Sequence, residues 1–275
     1  MKLRNFYSLL AGLVLVACTA PEKKTESVEE ETTEVIIPTG EVAYAADTTT
    51  LKGYFAASDT EGKKPGILVV HEWWGHNEYS RMRADMLAEL GYVALAVDMY
   101  GDGKQADHPD DAGQFAGMVL GNFEIAKARF EAAIKTLKNH PSVDPEKIGA
   151  IGYCFGGSTV LSMANAGYDL DAVAAFHAGL GLPLMPEAGS VKGKVLIANG
   201  ADDKFITEQQ IMDYKSAMDA AGADYTFINY EGALHSFTSK AADDLAEKFG
   251  MPIAYNAAAD SASWEEMKVL FAEAF

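Results

Sequence analysis

Chemistry is best sought first at Gly152-Tyr153-Cys154-Phe155-Gly156-Gly157. This run joins a buried apolar stretch, Lys147–Tyr153, to helix-forming residues that continue through Ala166. A thiol with glycine two places to either side is the pattern of a nucleophile set in a sharp strand-to-helix turn. Glycine is needed at 152 and 156 because a side chain there would meet neighbouring backbone. The turn aims the thiol at the N-terminus of the next helix, whose dipole favours a thiolate and any oxyanion formed beside it. A buried structural cysteine beside a Gly-rich turn has the same local sequence, so the motif needs partners.

Two downstream segments supply them. Gly200-Ala201-Asp202-Asp203 follows the apolar run Lys194–Ala198, where an orienting acid would stand. Asp203 is the choice over Asp202, because it lies three residues after Gly200 and precedes Lys-Phe-Ile; both aspartates also suit capping of a helix near Thr207. Gly232-Ala233-Leu234-His235-Ser236-Phe237 follows the last apolar run, Tyr225–Tyr230. His235 therefore sits at the C-terminal end of a strand, where ligand sites of open parallel sheets lie. Cysteine, acid and histidine occur in the chain order of the α/β-hydrolase fold.

Other residues suggest chemistry less directly. His71-Glu72-Trp73-Trp74-Gly75-His76 looks like a zinc-protease motif, but its histidines are five apart and leave a strand beside a glycine. They cannot share one helix face, so no metal site is expected. Trp73 and Trp74 suit the walls of an apolar pocket, and Trp74 suits plain core packing equally well. Tyr100 and His177 each follow a strand and are candidates to line the pocket. His108 and His140 lie in polar loop contexts and are expected at the surface.

The elements that must position these residues alternate. Glu41–Ala46 and Thr50–Ala56 alternate polar and apolar residues, as hairpin strands do. Gly66–His71, Tyr92–Val97, Lys147–Tyr153, Ala172–Phe176, Lys194–Ala198 and Tyr225–Tyr230 read as strands, several of them apolar throughout, as strands buried on both faces are. Helical spacing fits Tyr79–Leu90, Phe123–Lys138, Gly156–Ala166 and Glu208–Ala221, with further helix to Phe275. The fold class expected is α/β: one mostly parallel sheet with helices on both faces, spanning 41–275.

Composition narrows the function. With 49% hydrophobic and 23% charged residues, the chain is neither a disordered tail nor a fibrous repeat. A formal charge of −18 repels phosphate backbones, so nucleic acid is not an expected partner. No phosphate loop or dinucleotide fingerprint is present, and no cofactor is expected.

The N-terminus reads as an address. Lys2 and Arg4 precede a short apolar run from Leu9 to Ala17, too short to span a bilayer as a helix. Leu15-Val16-Ala17-Cys18 resembles the lipobox of bacterial lipoproteins. That resemblance implies a signal peptide over 1–17, lipidation of Cys18 and attachment to a bacterial cell-envelope membrane. A non-lipidated signal cut near Ala20 is the alternative. Residues 18–40, rich in Glu, Thr and Lys, read as an acidic flexible tether. Residues 1–18 contain two bases and no acids, so their removal takes the charge from −18 to −20. With Cys18 lipidated and Cys154 a nucleophile, no disulfide is expected.

From about 42 to 275 the chain resembles the dienelactone hydrolase family of α/β-hydrolases. The resemblance rests on Val69-Val70-His71-Glu72-Trp73-Trp74-Gly75, Val97-Asp98-Met99-Tyr100, the cysteine elbow, Gly200–Asp203 and His235-Ser236-Phe237. It implies hydrolysis of a small ester or lactone through an acyl-thioester, with Cys154 as nucleophile, His235 as general base and Asp203 as its orienter. It also implies an oxyanion hole from the backbone N–H groups of Trp73 and Phe155. Glu72 is implied as an auxiliary group that contacts the resting thiol, keeps it neutral and moves aside when substrate binds. The family's carboxylate-binding arginines are missing: their segments read Gly101-Asp102-Gly103-Lys104 and Ser236-Phe237-Thr238-Ser239-Lys240. Lys104 and Lys240 lack the planar guanidinium fork, so a neutral or bulkier ester or lactone is expected. The alternative to an enzyme is a binding or scaffolding protein on a hydrolase fold. A thiol peptidase is a third class, although nothing marks a peptide groove. The sequence does not speak to oligomeric state.

Overall fold

A computed structural model of the chain describes residues 39–58 and 61–275. The expected signal peptide, Cys18 and the expected tether up to residue 38 lie outside the described residues.

The described residues form an eight-stranded sheet in the order β1-β2-β4-β3-β5-β6-β7-β8. Strands β1 (Gly40–Ala46) and β2 (Thr49–Ala57) form an antiparallel hairpin, and β2 pairs antiparallel with β4 (Val93–Val97). All later pairings are parallel, through β3 (Lys64–Val70), β5 (Val143–Tyr153), β6 (Ala172–Phe176), β7 (Lys194–Gly200) and β8 (Tyr225–Tyr230). Parallel strands need crossovers, and helices supply them on both faces.

The apolar runs explain this layering. Side chains alternate faces along a strand. Leu68 and Val70 of β3, with Val93, Leu95 and Val97 of β4, therefore join one core. That core includes α3 (Phe123–Lys138), α4 (Phe155–Asn165) and α5 (Glu208–Ala221) through Phe130, Leu137, Val160, Tyr214 and Met218. Ile67 and Val69, with Ala94 and Ala96, join the core on the other face. There α1 (Glu78–Glu89) and α7 (Ala257–Ala274) contribute Ala84, Leu87, Met267 and Phe271.

Four differences from the sequence reading have local causes. Strand β5 starts at Val143 rather than Lys147, because Lys64 and Pro65 pair with Val143 and Asp144 before the register shifts at Pro65/Gly66. Helix α2 (Pro109–Leu120) was not anticipated. Its start uses His108 as N-cap, the ring accepting from the Asp110 N–H, with Pro109 in the first turn and Asp110 and Asp111 beside the positive end of the helix dipole. Glycines at 113 and 117 lower its intrinsic propensity, which hides it from the pattern. His140 is buried rather than at the surface: its Nδ1 accepts from the Ser142 N–H at 3.2 Å and its ring lies 4.8 Å from that of Phe55. His108 is exposed, as expected. The C-terminal helix is two helices, α6 (Ala242–Phe249) and α7, separated after Gly250.

Candidate active site

Strand β5 ends at Tyr153 and α4 begins at Phe155, leaving Cys154 alone in the turn. Its φ of 53° and ψ of −114° are strained for a residue with a side chain. The turn closes because its neighbours lack side chains. A Cβ on Gly152 would stand 2.2 Å from the Gly156 carbonyl oxygen, and one on Gly156 would stand 2.2 Å from that of Val70.

The loops after β7 and β8 bring the partners to this turn. His235 Nε2 lies 3.1 Å from Cys154 Sγ, and His235 Nδ1 lies 2.7 Å from Asp203 Oδ2. The other oxygen of Asp203 accepts from the Phe205 N–H at 2.8 Å, which fixes the carboxylate. Asp202 is exposed and does not reach the ring. Burial works against charge on His235. Negative charge at Cys154 and hydrogen bonds to Asp203 and Cys154 outweigh it, and the ring's pKa is pushed up to about 10.

These groups open onto a cavity of about 380 Å³. Trp73, Phe155, Phe205, Ile206 and Met251 line it, and Ala116 and Leu120 of α2 close one side. Apart from His235, the described residues of its walls include no cationic side chain; Ser158, Ser236 and Gln210 are the other polar ones among them. Lys104 is half exposed beside Asp102, and Lys240 lines a separate cavity next to α1. Neither lysine stands where it could bind a substrate carboxylate in the cavity.

The first residue of a helix has an N–H with no intrahelical acceptor, and in α4 that residue is Phe155. Across the cavity, the Trp73 peptide is held by the Tyr100 hydroxyl, which donates to the Trp73 carbonyl at 2.9 Å.

A sequence profile described as the dienelactone hydrolase family matches residues 51–275. The chain belongs to this family. It is therefore a hydrolase of the ester and lactone class. Protein usf of Aquifex pyrophilus is 32% identical over 212 residues, covering 75% of this chain and 90% of that protein. A putative carboxymethylenebutenolidase of Aquifex aeolicus is 29% identical, covering 71% and 85%. A crystal structure described as a dienelactone hydrolase-like promiscuous phosphotriesterase from metagenomic libraries superposes with a TM-score of 0.80 at 33% identity. It covers 86% of this chain and 98% of that one.

Family likeness leads to one expectation that the geometry does not meet. Glu72 makes no hydrogen bond to Cys154, whose thiol pairs with His235 instead. Ser236 stands beside the Glu72 carboxylate, and Glu72 Oε1 is buried without a hydrogen-bond partner. Burial pushes the Glu72 pKa up to about 7, against the lowering effects of His235, Ser236 and Arg83. The thiol is thus paired with an imidazole rather than guarded by a carboxylate.

Three weaker pocket expectations also change. Trp74 is buried in a small cluster with Ala106, Ala112 and Phe249, away from the cavity. Tyr100 lies in the core behind Trp73 rather than on the cavity wall. His177 is buried behind His235, not beside the substrate space. The two histidines of the zinc-like run do not converge on a site. His71 Nδ1 contacts the Glu72 carbonyl and its Nε2 accepts from the Met99 N–H, while His76 has neither ring nitrogen bonded. Among the described residues, no group of three His, Cys, Asp or Glu side chains is arranged to hold a metal ion.

Sequence reasoning missed the far walls of the cavity. Those on α2 were hidden with that helix, and Met251 and Ile253 lie in an irregular segment between α6 and α7. It also missed Asp98, whose buried carboxylate accepts from the N–H groups of Lys52, Tyr100, Gly101 and Gly103. Its position at the end of an apolar strand was the available signal.

Proposed function

We propose that this protein hydrolyses small, uncharged esters or lactones through a Cys154–His235–Asp203 triad and an acyl-thioester. His235 Nε2 holds the proton taken from the thiol, its charge favoured by the raised pKa of the ring, and Cys154 Sγ bonds as a thiolate to the substrate carbonyl carbon. Asp203 stabilises the imidazolium and fixes its orientation. The oxyanion is held by the N–H groups of Phe155 and Trp73. Collapse breaks the ester C–O bond, and His235 returns the proton to the leaving alkoxide. Water then gives a proton to His235 and attacks the thioester. The C–S bond breaks, the carboxylic acid leaves, and the thiol recovers its proton. Glu72 acts as an auxiliary group beside this cycle. We also propose export of the chain and attachment through a lipid on Cys18.

The observation that carries the catalytic reading is the 3.1 Å approach of His235 to Cys154, with Asp203 on the opposite ring nitrogen. The apolar cavity, with no lysine or arginine among its described lining residues, supports uncharged substrates. Turnover of p-nitrophenyl acetate and of uncharged and carboxylate-bearing lactones tests it. Cys154→Ala is expected to abolish turnover, and the uncharged substrates are expected to be preferred. Full activity in Cys154→Ala would remove the nucleophile, and preference for the anionic lactones would remove the substrate class. A phosphotriester belongs in the same panel, given the likeness to the metagenomic structure. The export reading is checked by metabolic labelling with palmitate, which Cys18→Ala should lose; unchanged labelling would overturn it.

A further inference from the structure

His177 stands directly behind His235, and the catalytic cycle does not use it. It follows β6 with a φ of 40°, an unusual conformation for a residue with a side chain. Its N–H is fixed on the Ala198 carbonyl at 2.8 Å. Its ring meets that of His235 edge to face, with centroids 5.3 Å apart. On the cavity side the Phe205 ring meets His235 in the same way, at 5.1 Å. The catalytic imidazole is thus in ring contact with both.

The His177 ring has its own anchor. His177 Nε2 lies 2.7 Å from Thr238 Oγ1, and that hydroxyl lies 2.6 Å from the Tyr79 hydroxyl. Arg83 Nε donates to the Tyr79 hydroxyl at 3.3 Å, and Arg83 Nη2 donates to the Thr238 carbonyl at 2.8 Å and to Asp260 at 2.6 Å. The guanidinium is enclosed by the rings of Tyr79, Tyr153 and Trp264. Buried polar chains cost free energy that apolar packing would avoid, so this one needs a purpose. The segment it grips carries His235, and Ser236 within that segment has a φ of 59°. Local conformational preference does not hold such a segment in place.

We propose that His177 is a positioning residue for His235, its ring set by the Tyr79–Thr238 hydroxyl chain anchored on Arg83. This rests on the triad reading given above. His177 holds the plane in which His235 can reach Cys154 and Asp203 at once. It can do so only as a neutral ring. Burial holds its pKa well below the usual range, and the positive charges of His235 and Arg83 act in the same direction. The titratable groups facing His235 are Asp203, Cys154, His177 and Glu72, with Arg83 behind Glu72.

Thr238→Val breaks the hydroxyl chain without touching either imidazole. It is expected to lower kcat about tenfold with KM unchanged. The alkaline limb of kcat/KM should move to lower pH, because a misplaced His235 loses the bonds that hold its proton. His177→Phe should do the same, His177→Gln should recover part of the loss through its amide, and Thr238→Val should add little in the His177→Phe background. Wild-type kcat and an unmoved alkaline limb in Thr238→Val, even with a lowered Tm, would overturn the proposal. So would equal losses in His177→Phe and His177→Gln, a comparison that stands if Thr238→Val fails to fold. Cys154→Ala is measured alongside. Its full activity removes the triad reading itself, whereas its inactivity beside a wild-type Thr238→Val removes only the role of His177.

Discussion

At the scale of single residues, His235 is set against two opposing demands. It is buried, which disfavours its charge, yet the proposed cycle requires it to carry a proton. Asp203 and Cys154 resolve the conflict. Asp203→Asn removes one of the groups that raises the ring's pKa and frees the ring to take the wrong tautomer. A fall in kcat of about 10⁴-fold is expected, with the alkaline limb of the pH profile moving down from about 10. An unchanged alkaline limb would mean that Asp203 does not set this ring. Glu72 is poised differently, at about 7 by burial. The rate of Cys154 alkylation by iodoacetamide should carry an inflection near neutral pH that Glu72→Gln abolishes. Identical profiles for the two proteins would remove any active role for Glu72. Cys154, Asp203 and His235 could be named from the sequence because glycine spacing and strand ends mark them, and Glu72 through the family resemblance. The surroundings of Glu72 could not, since Ser236 beside it is set by the strained loop after β8.

At the scale of elements, the site depends on three strand ends and one turn. The buried strands could be read because parallel strands covered on both faces are apolar throughout. Helix α2 could not, because two glycines dilute its pattern and a histidine caps it. That omission hid one wall of the cavity. Leu120→Ala enlarges this wall, and kcat/KM for bulkier acyl groups relative to acetyl should rise by about tenfold, the worth of a few methylenes in an apolar pocket. An unchanged preference across a graded ester series would show that α2 does not contact the acyl group. The turn itself has no slack. Gly156→Ala drives a Cβ to 2.2 Å from the Val70 carbonyl oxygen, so the elbow must open. Activity should be lost while Cys154 remains alkylatable in folded protein, or the protein should fail to fold. A soluble and fully active Gly156→Ala would contradict the close approach.

For the whole molecule, pH should set stability through buried histidines that the proposed cycle does not use. His71 and His76 are buried, and burial is the largest cause holding their pKa values down to about 4 and about 3, from 6.5. The unfolded chain binds protons at these rings between pH 6.5 and about 3, and the folded chain does not. Stability therefore falls as pH drops through that window. Glu72 acts in the opposite sense: with its pKa raised from 4.5 to about 7, its contribution is present below 4.5 and lost as pH rises to about 7. The contribution of His235 is present below 6.5 and lost as pH rises through about 10. His76 has both ring nitrogens buried without hydrogen bonds, so His76→Leu is expected to stabilise by about 1–3 kcal/mol at neutral pH. It should also flatten the fall in Tm below pH 6.5. An unchanged acid slope would place the loss elsewhere. The histidines show where sequence reading stops. His71 and His76 stand out as a motif, but only the packing of the sheet end decides that they are buried and neutral.

The central claim is a covalent acyl group on Cys154. Rapid mixing with p-nitrophenyl acetate, followed by acid quench and peptide mass spectrometry, tests it most directly. A burst of one nitrophenolate per chain is expected, with one acetyl group on the peptide that contains Cys154 and released by hydroxylamine. Steady turnover with no burst, and no acetyl group on Cys154 at any quench time or in a deacylation-slowed Asp203→Asn protein, would contradict a thioester mechanism.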